Sequence, residues 1–150
     1  MQLRKVETLS HRQRKATPPL FALRLVGMVR QSLGVEAVSV LWVAIDSVYK
    51  TIPGCDCWDE KRDAMKYDGP GPVICHPPCG PWGKFRWRSR ERLDDGIKAM
   101  DYVHRYGGVV EQPSGSRLFK LHGMGGHIEV VNQSDFGHLA EKKTLLYWVI

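Results

Sequence analysis

Two short segments carry side chains suited to chemistry. In Val73-Ile74-Cys75-His76-Pro77-Pro78-Cys79-Gly80-Pro81-Trp82, an apolar run ends in a Pro-Pro pair that presents Cys79. Each proline fixes φ and lacks an N–H, so this stretch is neither regular helix nor central strand. Such a stiff corner holds one side chain still. Cys79 is therefore the candidate nucleophile, and His76, Lys84, Arg86 and Arg88 offer the positive surroundings that favour a thiolate. The competing reading, a small buried apolar cysteine, suits a position between Pro78 and Gly80 poorly. The second segment runs Gly108-Val109-Val110-Glu111-Gln112-Pro113-Ser114-Gly115-Ser116. Glu111 closes an apolar run. It could hold a ligand amine, donate a proton if burial raises its pKa, or serve as an ordinary edge residue. Gln112 either recognises a ligand amide or bridges two loops.

Other groups rank below these. Asp56, Asp59 and Asp63 surround Cys55-Asp56-Cys57-Trp58-Asp59. An acid just after a strand can accept a ribose hydroxyl, which nominates Asp56 or Asp59 and leaves Asp63 to solvation. Cys55, Cys57, Cys75 and Cys79 form an alternative four-thiolate zinc set, with His76 in reserve. The one-residue gap between Cys55 and Cys57 is poor geometry for gripping one tetrahedral ion, so zinc is the weaker reading. His122 and His127 flank Gly123-Met124-Gly125-Gly126, a loop able to close on a ligand. His138, Gln133 and Lys143 suggest a surface for nucleic acid, whereas His11 and His104 read as surface residues.

The elements that must position these groups follow from periodicity and punctuation. Residues 1–19 read as a loose basic arm ending in Thr17-Pro18-Pro19. A helix is predicted over 20–33, with Leu23, Val26, Met28, Val29 and Leu33 at helical spacing and Gly34 as its stop. The continuous apolar run 38–45 predicts a buried strand. Residues 49–58 hold a short apolar piece and a glycine turn, and 59–66 one or two helical turns. The turn 68–72 launches a strand over 73–75. A second helix is predicted over 89–106 from Leu93, Ile97, Met100 and Val103, ended by Gly107-Gly108. Strands follow at 108–111, 128–131 and 145–150, with a polar connection over 137–142.

Strands separated by a convincing helix predict an α/β layer in which 73–75 and 109–111 are parallel. Open sheets of this kind bind ligands beyond the carboxyl ends of their strands, so Cys79 and Glu111 are expected at one crevice. The organisation expected is a basic N-terminal arm and helix over 1–36 and an α/β domain over 37–150.

Charge points to the partner. The 150 residues carry a formal charge of +6, which favours a polyanion. Residues 1–36 hold seven Arg/Lys against two Glu, and 82–92 hold five basic residues against one acid. The second cluster lies just past Cys79 and reads as a phosphate-contacting surface rather than a merely solvated face. No secretory leader and no bilayer-length apolar run is evident, so the expectation is a cytoplasmic protein, off the membrane, with reduced thiols.

Taken together, Pro77-Pro78-Cys79, Glu111-Gln112-Pro113, and Val131-Asn132-Gln133-Ser134-Asp135-Phe136-Gly137 followed by Lys142-Lys143-Thr144 resemble the cytosine-C5 DNA methyltransferases. The likeness spans roughly residues 73–149 and is closest to small phage or prophage proteins of that type. It implies a compact or truncated Rossmann-like, methyltransferase-type open sheet. By that resemblance Cys79 attacks C6 of an extruded pyrimidine in DNA and Glu111 contacts the base. Gln112, Gln133, Lys143, Lys84, Arg86 and Arg88 would contact substrate or DNA. S-adenosylmethionine would be the methyl donor, near Asp56, Asp59 and Pro77. The family's glycine-bearing cofactor loop has no counterpart at Val43-Ala44-Ile45-Asp46-Ser47. That departure keeps an inactive DNA-binding or partner-binding relative as the alternative, with a zinc-stabilised interaction module third.

Overall fold

The computed structural model describes residues 17–150. The basic cluster within residues 1–16 of the arm, with His11, lies outside the described residues. Six strands form one sheet in the order β2-β1-β3-β4-β6-β5: β1 Val38–Leu41, β2 Cys55–Trp58, β3 Val73–Cys75, β4 Gly108–Pro113, β5 His127–Asn132 and β6 Lys143–Val149. β2, β1, β3 and β4 are mutually parallel, and β6 runs antiparallel to both β4 and β5. The expected parallel pair is present, with Cys75 opposite Val110. The protein is thus a mixed α/β fold. Among the described residues no helix is long and apolar enough to cross a membrane.

Alternation along the strands builds two cores. Val38, Val40, Ile74 and Val109 face helix α1, Pro19–Leu33; Leu41, Val73, Cys75 and Val110 face helix α2, Leu93–Tyr106, and the short helix α3, Leu118–His122. α1 begins with a proline at its first position, where the missing N–H costs nothing, and stops at Gly34 in the left-handed region with φ 65. Its buried stripe is Phe21, Ala22, Leu25, Val26 and Val29. This is a correction: Leu23, predicted on the inner face, is 52% exposed. Both faces of the stripe include Val26 and Val29, and the aromatic Phe21 decides the rotation by filling the space beside Phe136. Because α1 shares a core with β1, β3 and β4, packing runs without a gap across the boundary expected between residues 36 and 37.

α2 starts at Leu93 rather than 89, and it buries Ala99, Met100, Tyr102 and Val103 while leaving Leu93 and Ile97 exposed. Gly96 lies against Trp82, whose indole a Cβ at that position would meet. β1 is shorter than the predicted 38–45 strand: Trp42 takes a positive φ of 58, which turns the chain out of the sheet. β2 was not foreseen. Its four residues are only partly buried, so it lacks the apolar run that marks an inner strand.

Gly108 has φ +122, and a Cβ there would collide with the Val73 carbonyl. Gly108→Ala is therefore expected to cost at least ~2 kcal/mol, measured as a lower urea midpoint at unchanged slope.

Candidate functional site

The carboxyl ends of β1, β3 and β4 open into a cavity of about 1070 Å³. The chain steps from β1 outward to β2 and then returns to place β3 on the other side of β1, so the cavity sits where the strand order reverses. Open α/β sheets place their ligands at that switch point, because the two loops diverge there and leave a crevice. Its lining includes Trp42, Val43, Asp59, Pro77, Cys79 and Glu111. The two candidates from separate segments, Cys79 and Glu111, thus border one space.

Hydrogen bonds fix the Cys79 corner. His76 N–H donates to the Leu41 carbonyl at 3.0 Å, the last rung holding this loop to β1. Pro77 and Pro78 cannot donate, but the Pro77 carbonyl accepts from Gln112 Nε2 at 2.9 Å. Ser116 Oγ donates to Gln112 Oε1 at 2.8 Å. Gln112 is 1% exposed, and its Nε2 and Oε1 each have a partner, so it bridges the two loops while also lining the cavity. The Cys79 carbonyl accepts from Trp82 N–H at 3.1 Å, closing the turn Gly80–Trp82, and Arg117 N–H donates to the Trp82 carbonyl at 2.9 Å. Cys79 itself is partly exposed.

A partly buried polar chain that the sequence does not reveal borders the same cavity. His76 Nδ1 is 3.2 Å from Glu111 Oε1, and His76 Nε2 is 3.0 Å from the Tyr49 hydroxyl. Tyr49 is 1% exposed, and burial, followed by the Glu111 charge, keeps its phenol pKa well above the usual value. A phenol held neutral donates its proton, so in the neutral imidazole Nε2 accepts and Nδ1–H points at Glu111. The sequence presents His76 only as a charge near Cys79 or a spare metal ligand. The residue pair 35 positions apart could not be seen without the β3–β4 register.

The remaining predicted residues divide by location. Asp59 follows β2 directly and lines the cavity; Lys50 Nζ is 2.9 Å from its Oδ2, and the N–H groups of Lys61 and Arg62 donate to its Oδ1, each at 3.1 Å. Those donors hold its carboxyl below the usual pKa. Asp56 lies outside the cavity and is paired with Arg62, whose hydrogen bond lowers its pKa. Asp63, assigned to solvation, instead lines the cavity with φ 65. Trp42 and Asp63 are the two non-glycine residues with positive φ among the described residues, and both border this space. Backbone strain of about 1–3 kcal/mol per residue commonly collects at functional sites.

Lys84 and Arg88 border a second, shallower cavity of about 470 Å³ that shares Cys79 with the first; Arg86 lines neither. Gln133 is 1% exposed and donates to Thr144 Oγ1 at 2.8 Å, pinning the β5–β6 connection rather than facing a ligand. Lys143 lines neither cavity, whereas its neighbour Lys142 reaches the first. The 123–126 loop does not close on the cavity. Met124 and Gly126 N–H groups donate to the Tyr147 hydroxyl at 2.9 and 3.0 Å, and His104, exposed as expected, joins them at 2.8 Å.

The four-cysteine set does not assemble. Cys55 and Cys57 pack on the α1 side of the sheet and Cys75 on the α2 side. Among the described residues no group of three or more His, Cys, Asp or Glu side chains is placed to hold a metal ion. Burial raises the Cys55 and Cys75 pKa values and carries Cys57 to about 11. No protein-family model, curated protein or solved structure matches this chain.

Two expectations follow. With iodoacetamide at pH 7.5, peptide mapping should find Cys79 alkylated first. Cys57 should gain reactivity only as pH rises toward 11, because its thiolate forms there, and Cys75 should react only on unfolding. His76→Ala, which strips the partner from the buried Tyr49 hydroxyl, should cost about 1–3 kcal/mol in urea unfolding; an unchanged midpoint would remove the buried chain from the account.

Proposed function

We propose that this protein is an S-adenosylmethionine-dependent methyltransferase that acts on a pyrimidine base in DNA through Cys79. The observation carrying the proposal is the convergence of Cys79 and Glu111 on one crevice at the sheet's switch point. The strand order, four parallel strands followed by a reversed one, is compatible with the Rossmann-like, methyltransferase-type sheet that the motifs imply.

The residues fit the cofactor. The cavity slightly exceeds the roughly 300–1,000 Å³ of a typical small-molecule site, which suits a cofactor and a base together. Trp42 and Val43 offer an apolar wall to a purine, and Asp59 stands after β2, where a ribose hydroxyl is accepted. Asp46, Glu60 and Asp63 add negative charge suited to a sulfonium. When bound, the cofactor supplies an electrophilic methyl group.

The chain's own groups do the rest. The Cys79 thiolate adds to C6, forming an S–C6 bond while the C5–C6 π pair moves to C5, where the methyl group is received. Solvent water takes the C5 proton, and its electron pair restores the double bond as the S–C6 bond breaks and the thiolate departs. Glu111, held by His76 through Oε1, keeps Oε2 for the base edge, where it accepts a hydrogen bond from the exocyclic amino group and orients the ring for attack. Pro77, Pro78 and Gln112 hold the sulfur in place, an orientation effect. The base must leave the stack to reach it.

One observation favours a binding-only relative: the loop after β1, Trp42 to Ser47, contains no glycine to admit the close approach of a cofactor. Calorimetric titration with S-adenosylmethionine separates the two readings, micromolar affinity favouring the enzyme and no heat favouring the relative. In a tritium-transfer assay with DNA, Cys79→Ser should abolish transfer and the covalent protein–DNA adduct, and Glu111→Gln should slow transfer about 10²–10³-fold. Full activity in Cys79→Ser removes the assigned nucleophile.

A further inference from the structure

The segment from Lys84 to Arg90 alternates cations and aromatics: Lys84, Phe85, Arg86, Trp87, Arg88, Ser89, Arg90. Its two rings are turned outward, Phe85 58% and Trp87 72% exposed. A tryptophan in that state forgoes the burial that normally stabilises it by a few kcal/mol. The loop is nonetheless held at its base. Glu91 Oε1 accepts from Gly80 N–H at 3.1 Å, Glu91 N–H donates to Ser89 Oγ at 3.2 Å, and the turn Arg86–Arg88 is closed by Ser89 N–H to the Arg86 carbonyl at 3.1 Å. Glu91, the one acid in the cluster, is thus engaged at the base while the cations project. The Arg88 guanidinium lies 4.5 Å from the Trp87 ring centre and 5.5 Å from that of Phe85. Arg88, Phe85 and Cys79 together border the second cavity.

Cations that track phosphates, interleaved with exposed rings that stack on bases, are the two components of a single-strand binding surface. A duplex presents phosphates but keeps its base faces stacked, so Phe85 and Trp87 would gain nothing from it. We propose that this loop is a docking surface for an unpaired DNA strand. One base stacks on Trp87, the phosphates lie on Lys84 and Arg88, and the adjoining nucleotide reaches Cys79 through the second cavity. Single-stranded DNA is then the preferred substrate, because no unpairing cost has to be met before the base reaches the sulfur. The inference rests on the methyltransferase reading for its choice of DNA, and its test reads binding separately from transfer.

Fluorescence anisotropy of the full chain with a labelled mixed-sequence 16-mer, its duplex and the matching RNA tests the proposal. The single DNA strand should bind at least fivefold more tightly than the duplex. Trp87→Ala should weaken strand binding about tenfold, Trp87→Tyr should largely retain it, and duplex affinity should change little in either variant. Arg88→Gln should reduce the slope of log affinity against log salt by about 0.7, one phosphate's share on a single strand. Equal affinity for strand and duplex, no effect of Trp87→Ala, or tighter binding of RNA overturns the inference. Strand binding that behaves as expected without methyl transfer supports it and overturns the methyltransferase reading alone.

Discussion

The site depends on one buried amide. Gln112 leaves the end of β4 and donates to the carbonyl of Pro77, tying the loop after β3 to the loop after β4. A Pro-Pro corner is stiff within itself but has no N–H groups with which to anchor to its surroundings. Its carbonyl is the handle that remains, and a fully buried side chain takes it. The second amide atom is satisfied by Ser116, so no polar group of Gln112 is left to be paid for. Without that tie, Cys79 and Glu111 would each be rigidly placed on its own strand yet loosely placed relative to the other.

The sheet supplies the second constraint. Cys75 and Cys79 lie on the same segment, but strand alternation commits Cys75 to the α2 core while the corner places Cys79 on the lining of the crevice. The same alternation sends Cys55 and Cys57 to the opposite core. Four thiols that look like a set in the sequence are therefore three buried or half-buried packing groups with raised pKa values and one at the cavity. Packing, rather than spacing along the chain, sorts cysteines by role.

What the sequence made legible was local and periodic. The parallel relation of β3 and β4 followed from a strand–helix–strand order, and the placing of Cys79 and Glu111 on one cavity followed from that relation. The rotation of α1 was not legible, because Leu23 and Phe21 are both apolar and only packing against Phe136 selects between them. β2 was invisible because an edge strand with half-exposed residues has no apolar signature. The Tyr49–His76–Glu111 chain draws its members from three separate segments and needs the tertiary register to be found. Gln133 looked like a ligand-facing residue in its motif, yet a buried bond to Thr144 engages it.

Charge is spread unevenly over the two cavities that share Cys79. Asp46, Asp59, Glu60 and Asp63 line the first, against Arg92 and Lys142, with Asp59 paired to Lys50. Lys84, Arg88 and Arg90 border the shallower one, with Glu91 as its acid. Opposite potentials on adjoining surfaces favour two ligands of opposite charge and disfavour either one in the other's place, since each misplacement meets like charge at a partly dehydrated surface. On the proposed reading, a cationic donor would suit the more acidic cavity and a polyanionic strand the more basic one. Cys79 borders both cavities, so on that reading its position, more than its intrinsic reactivity, would let its sulfur meet both occupants.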